Sequence, residues 1–371
     1  MNSNLKNLLE RYDASSPLER AETIPAEWYF DSEIARLEQQ NVFAKSWQFA
    51  ARCDQVASAG QFATAEIAGE PVVVVRGTDG VLRAFFNVCR HHAAAVATEP
   101  AGQAGQLRCP YHGWTYGLDG ALKGMPEFEG VCDFDRARNG LVPVRVEAWE
   151  NFVFVNLDSR AASLSDSLGE LSRRTAEWTL RELQFAERRS YTLRCNWKVY
   201  VDNYLDGGYH VPHLHKGLNS VLDYAHYTIE NLERMCIQSS PLRANSASDA
   251  AAAATRRGDF AHYVWLYPNF MLNWCEGVMD TNLVIPRGTD RCEVIFDFYF
   301  APSAAGSAAD ESIRVSERIQ DEDVAICESV QRGLHSRAYR AGRLSVRREA
   351  GEHLFHQLLA ADLKSSNQRS S

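Results

Sequence analysis

The chain has 371 residues, 45% of them hydrophobic and 23% charged, with a formal net charge of −9. That composition suits a globular protein long enough for two domains, and the acidic balance argues against nucleic-acid binding, which needs a basic patch. The N-terminal "MNSNLKNLLERYDASSPLER" lacks a secretory apolar core, no apolar run nears the ~20 residues that cross a bilayer, and nine cysteines do not suit a disulfide framework, so a cytoplasmic, membrane-free protein is expected.

Residues 1–42 read as a helical segment that packs on the C-terminal part of the chain. From 43 to 156 the sequence is a series of short β runs between glycine turns: "QFATAEIAG", "EPVVVVRGTDG", "VLRAFFNVC", "LVPVRVEAW" and "NFVFVNLD". The "TDG" is a hairpin signal, and this stretch is expected to be a small all-β domain. "ASLSDSLGELSRRTAEWTL" then predicts a helix with Leu164, Leu168, Leu171 and Trp178 near one face. Over 157–371 the pattern is mixed. "NWKVYVDNYLD" suits a helix that breaks at Gly207-Gly208, and "HYVWLYPNFMLNWC", "TNLVIPRG" and "CEVIFDFYFAP" suit antiparallel strands. "SIRVSERIQDEDVAICESVQRGLHS" predicts a long helix with Ile313, Ile319, Val324, Cys327 and Val330 along one stripe. "SASDAAAAATRRG" and "APSAAGSAADES" read as loops. The fold class is α+β.

Two knots of metal-ligating residues stand out. Cys89-x-His91 and Cys109-x-x-His112 are separated by 17 residues, each offering a thiolate and an imidazole from one tight turn. Two such loops facing each other close a four-ligand site. Structural zinc and a Rieske 2Fe–2S centre both use two cysteines and two histidines. Both loops sit inside β structure, and the glycine-turned "PYHGWTYGLDG" resembles the second loop of Rieske proteins, which favours the cluster. His92 is the alternative to His91, while Cys53 and Cys132 lack a histidine at this spacing and read as ordinary thiols. The second knot, "DNYLDGGYHVPHLH", holds His210-x4-His215 just after the helix break, with His213 between them. Two histidines and a carboxylate leave open positions on non-heme Fe(II), where O2 and a substrate meet. From the residues alone the carboxylate stays open among Asp321, Glu322 and Asp323, because an acidic run on a helix is usually a solvated face.

With both motifs in place, the chain resembles the α subunit of Rieske non-heme iron oxygenases over nearly its whole length, in particular the subgroup with choline monooxygenase and carnitine monooxygenase. "NWKVYVDNYLDGGYHVPHLH", "EDVAICESVQRGLHSRAYRAGR", "YPNFM" and "GEHLFHQLLA" carry the resemblance. It implies a Rieske domain over 43–156 and a helix-grip-like catalytic domain over 157–371. It also implies that Asp323 completes the iron site with His210 and His215, and that Asp206 bridges electron transfer between subunits, with Asp202 as the alternative. The family usually sets this acid three residues before the histidine; here it is four, with Gly207-Gly208 making up the difference.

The resemblance further implies a homotrimer and monooxygenation of a small quaternary ammonium or N-methyl amine compound. No flavin, nicotinamide or plant-type ferredoxin fingerprint is present, so a separate flavin/iron–sulfur reductase fed by NAD(P)H is expected. Tyr263, Trp265 and Tyr267 alternate along one predicted strand, either as an aromatic face for a cation or as sheet core. An oxygenase for an aromatic acid and a non-catalytic Rieske electron-transfer protein are the rival readings.

Overall fold

The β runs between 48 and 156 pair into a seven-stranded antiparallel sheet, in the order Gln48–Arg52, Phe152–Asn156, Pro143–Trp149, Leu82–Phe86, Glu70–Arg76, Gln61–Ile67, Ala101–Gln103. The computed structural model describes residues 3–243, 257–304 and 306–365; this sheet belongs to one compact unit, residues 43–173, and the N-terminal 42 residues join the chain from 174 onward in another. Val72 to Val75 form an unbroken apolar run because the strand is covered on both faces. Val73 and Val75 pack with Phe85, Trp114 and Tyr116, while Val72 and Val74 pack with Ala84, Val144 and Val153. Each of these four valines is fully buried, contributing about 1.5–3 kcal/mol. A three-stranded sheet, Leu107–Arg108, Thr115–Tyr116 and Leu122–Gly124, carries the second Cys–His loop.

The other unit is built on a seven-stranded antiparallel sheet in the order Gln184–Leu193, Cys292–Phe300, Val278–Pro286, Phe270–Cys275, Phe260–Leu266, Met235–Pro241, Thr228–Asn231. Three helices position its chemistry: Trp197–Leu205, the long Ser307–Leu334 and the C-terminal Ala350–Lys364. The first starts at Asn196, whose side chain accepts from the Lys198 amide at 3.1 Å. It ends at Gly207 and Gly208, with φ of 66° and 68°. A side chain at Gly207 would also collide with the Arg348 carbonyl, so the corner requires glycine. No helix among the described residues is long and apolar enough to cross a membrane.

Four sequence expectations need adjustment. The helix predicted over 162–180 is broken into Leu164–Leu168, Leu171–Arg174 and two 3₁₀ turns, because Gly169 ends the first piece at φ 47°. "HYVWLYPNFMLNWC" is two strands, with a turn at Tyr267-Pro268. On the long helix Val330 is exposed, and the buried stripe takes Gln320, Asp323 and Gln331 instead. Those polar residues are buried because each has a partner: the Tyr200 hydroxyl donates to Gln320 (2.7 Å), Asn203 to Asp323 (2.8 Å), and the Asn196 amide to Gln331 (2.8 Å). The same helix begins at Ser307, inside the expected loop "APSAAGSAADES"; the other expected loop, "SASDAAAAATRRG", lies outside the described residues apart from its last two.

The N-terminal segment is fastened to the first of these helices by a buried ion pair. Lys198 Nζ lies 2.6 Å from Glu38 Oε1, and Trp197 Nε1 donates to Glu38 Oε2 at 2.8 Å. Burial pushes the Lys198 ammonium below its ordinary pKa, and Glu38 beside it offsets part of that. Glu38→Ala strands a charge in the core and is expected to cost about 3–5 kcal/mol in denaturant unfolding, whereas exposed ion pairs contribute about 1 kcal/mol or less.

Candidate functional site

The two Cys–His loops are built alike. In the first, the Cys89 amide donates to Ala94 O (2.8 Å) and the Ala93 amide to Cys89 O (3.0 Å). In the second, the Cys109 amide donates to Trp114 O (2.8 Å) and the Gly113 amide to Cys109 O (3.1 Å). Ala93 and Gly113 occupy equivalent positions at φ 61° and 72°. Both thiols are free and buried. The His91 and His112 rings lie 4.7 Å apart at the loop tips, and His91 stacks on Trp114 at 4.7 Å with an interplanar angle of 1°.

His91 Nδ1 is buried without a hydrogen-bond partner, an orphaned nitrogen that a metal would satisfy. Partial burial, together with His92 and His112, holds this imidazole below its ordinary pKa, in the neutral form that ligates metal. The Tyr116 hydroxyl accepts from the Arg90 amide at 2.9 Å, which leaves its proton for Cys89 Sγ at 3.4 Å. His92 is exposed beside His91, Cys132 is exposed, and Cys53 Sγ lies 3.5 Å from Glu150 O. These donors fit a 2Fe–2S group with two thiolates and two imidazoles.

In the other unit His210, His215 and Asp323 each bring a ligand atom within 4.8 Å of the others. His215 Nε2 lies 3.1 Å and His210 Nε2 4.0 Å from the same oxygen, Asp323 Oδ1. The opposite ring nitrogens are held by carboxylates, His210 Nδ1 by Asp206 at 2.6 Å and His215 Nδ1 by Glu322 at 2.6 Å. This fixes both rings with Nε2 turned inward, the arrangement that a two-histidine, one-carboxylate metal site requires. Burial alone would lower the His215 pKa, but Asp323 and Glu322 outweigh it and raise it.

Among the sequence alternatives, Glu322 touches the outer nitrogen of His215, while Asp321 and His213 are exposed. Asp206 also accepts from the Tyr209 and His210 amides, at 3.1 and 2.9 Å. Asp202 accepts instead from Tyr29 (2.6 Å) and lies 3.0 Å from His356 Nε2. Sequence reasoning missed Tyr116, Asn203 and the orienting part of Glu322. Only Asn203 had a local signal, as a polar residue one turn from Asp206 on the same helix.

The triad opens on a cavity walled by Tyr200, Tyr204, Tyr227, Tyr263 and Phe296. Burial first, then Tyr227, Asp280 and Tyr263, hold the Tyr204 hydroxyl well above its ordinary pKa, so it stays a donor. Of the three alternating aromatics only Tyr263 lines this cavity. Trp265 and Tyr267 pack on Phe355 as core.

Residues 46–135 match the Rieske 2Fe–2S domain family, and residues 180–365 match the catalytic domain of the ring hydroxylating alpha subunit family. The chain is 40% identical to chloroplastic choline monooxygenase of Arabidopsis thaliana, covering 98% of this chain and 88% of that protein. It is 35% identical to the carnitine monooxygenase oxygenase subunit of Escherichia coli (strain K12), covering 93% and 95%. The crystal structure of the quaternary ammonium Rieske monooxygenase CntA in complex with L-carnitine superposes with a TM-score of 0.83 at 30% identity, over 95% of this chain and 98% of that one. Naphthalene 1,2-dioxygenase from Rhodococcus sp., at 19% identity and a TM-score of 0.78, shares the fold. The paired Cys–His loops, the convergent triad and these matches along both units make the chain an oxygenase α subunit of the Rieske non-heme iron family, a monooxygenase that uses a 2Fe–2S cluster and a mononuclear iron.

Proposed function

We propose that the chain monooxygenates a small quaternary ammonium or N-methyl amine compound, working as a homotrimer with electrons from NAD(P)H through a separate flavin/iron–sulfur reductase. The observation that carries this is the tyrosine-walled cavity in front of His210, His215 and Asp323. Each aromatic face turned to a cation contributes ~0.5–2 kcal/mol, and neutral phenols leave that attraction intact. The relatives that act on choline and carnitine support the same substrate class.

In this reading Cys89, His91, Cys109 and His112 would hold the 2Fe–2S cluster, and His210, His215 and Asp323 would hold the mononuclear iron. When bound, these groups supply single electrons and the activation of O2. The chain supplies placement. Asp206 and Glu322 keep the protons on the outer nitrogens of His210 and His215, the tyrosines seat the cation and exclude water, and Asp206 receives the electron path from a neighbouring subunit. Overall, C–H, O2, two electrons and two protons give C–OH and water. Hydroxylation beside nitrogen yields a carbinolamine that releases the amine, whereas hydroxylation of an alcohol carbon yields an aldehyde hydrate.

Purified protein should contain about three irons per chain, since one cluster and one mononuclear site are present. With a reductase, choline, carnitine or glycine betaine should stimulate oxygen uptake. Stimulation by aromatic acids alone would overturn the ammonium reading, and two irons per chain would leave only an electron carrier.

A further inference from the structure

The glycine corner that sets Asp206 against His210 is held from behind by a buried cation. Arg348 lies just before the helix Ala350–Lys364 and is 4% exposed. Its Nη1 donates to Gly207 O at 3.4 Å and its Nη2 to Tyr224 O at 3.1 Å, so one guanidinium ties the corner to the segment 224–227. The same group lies 3.8 Å from the Tyr224 ring centroid and 6.0 Å from that of Tyr227. Two carbonyls and two aromatic faces meet its charge, with no carboxylate in ion-pair contact among the described residues. A charge buried without a counter-ion is destabilising, and an apolar side chain would pack this turn more easily.

The far end of the tie is the cavity wall. Tyr227 stacks on Tyr263 with centroids 6.4 Å apart and an interplanar angle of 19°. Its ring also covers Gly208, where an added Cβ would sit 3.1 Å away. Gly208, Tyr227 and Tyr263 all line the cavity in front of the triad. One arm of Arg348 thus holds the backbone between Asp206 and His210, and the other holds the segment that leads into the aromatic wall.

Resting on the electron path through Asp206 given above, we propose that Arg348 is the positioning residue of that path: its planar fork fixes the Gly207 carbonyl, and through it the Asp206 carboxylate at the outer nitrogen of His210, in register with the substrate wall. Asp206 is already bonded to two amides of its own turn, so Arg348 sets the place of the turn as a whole. Placement matters because a shift of about 1 Å in a reacting group costs about 100-fold in rate. Lysine carries the same charge without the fork, and cannot bond two carbonyls and stack on a ring together.

The test is single-turnover reoxidation of the reduced cluster in reconstituted, substrate-loaded holoenzyme, with iron content and the Rieske paramagnetic signal measured on each variant. Arg348→Ala should keep wild-type iron and signal while transferring the electron roughly 10- to 100-fold more slowly. Free guanidinium ion should enter the vacated space and recover part of the rate, whereas an equal concentration of sodium chloride should not. Arg348→Lys should fall between the wild type and Arg348→Ala, and should not respond to guanidinium.

A wild-type rate in Arg348→Ala, or a slow iron-loaded variant that guanidinium leaves unchanged, overturns the role given to Arg348. If Arg348→Ala does not fold or loses iron, Arg348→Lys decides: slowing of about fivefold or more supports the role and a wild-type rate ends it. Asp206→Asn should be slow with or without guanidinium. If it is as fast as the wild type, the electron path itself fails, and the two failures are thereby distinguished.

Discussion

Asp323→Ala is expected to lower substrate-dependent oxygen uptake on the order of 10³-fold or more, and to take iron from about three per chain to about two. The reason is geometric. Asp323 Oδ1 is the point toward which both inner imidazole nitrogens turn, at 3.1 and 4.0 Å, and without it the two rings face a gap. The Asn203 amide, which donates to the same oxygen at 2.8 Å, would be left buried and unpaired, so a modest loss of stability should accompany the metal loss. The Rieske signal should survive, because Cys89, His91, Cys109 and His112 belong to the other compact unit. Metal analysis with paramagnetic resonance on the reduced protein checks both halves. Full iron content in the variant would show that Asp321 or Glu322 is the ligand.

Asp206→Asn should behave differently. Iron content, the Rieske signal and substrate binding should persist, while transfer of an electron from reduced cluster to iron falls about 100-fold or more in a single turnover. Asp206 sits 2.6 Å from the outer nitrogen of His210 and also accepts two backbone amides, so asparagine keeps much of the shape but loses the anion. Asp202 is already engaged by Tyr29 and His356, and Asp202→Asn should slow the same step by much less. A reversal of these two effects in stopped-flow reoxidation would assign the electron path to Asp202.

What the sequence made legible follows from how far apart the cooperating residues lie. The paired loops and the His210–His215 pair each sit in one short segment, so spacing alone displays them. Asp323 lies 108 residues beyond His215, on a helix whose acidic run resembles a solvated face. Its burial depends on Asn203 and the imidazoles, partners that periodicity does not reveal. Lys198 poses the same difficulty: mid-helix lysines normally face water, and this one is buried because Glu38, 160 residues earlier, meets it. The alternation of Tyr263, Trp265 and Tyr267 left an aromatic face and sheet core both open; Trp265 and Tyr267 pack as core, Tyr263 alone of the three lines the cavity, and Tyr267 leaves the strand, which ends at Leu266, for the turn.

One compact unit is a single continuous stretch, residues 43–173, whereas the other joins the first 42 residues to everything after 173. The four cluster donors and the sheet around them have therefore left the ribosome while about half of the chain is still to be made, and a unit complete in sequence folds without waiting for the rest. The triad cannot close until Asp323 emerges, nor the glycine corner beside it until Arg348 does. The residues of the paired loops thus come together within one continuous stretch, whereas the triad waits for Asp323, contributed by the later helix Ser307–Leu334.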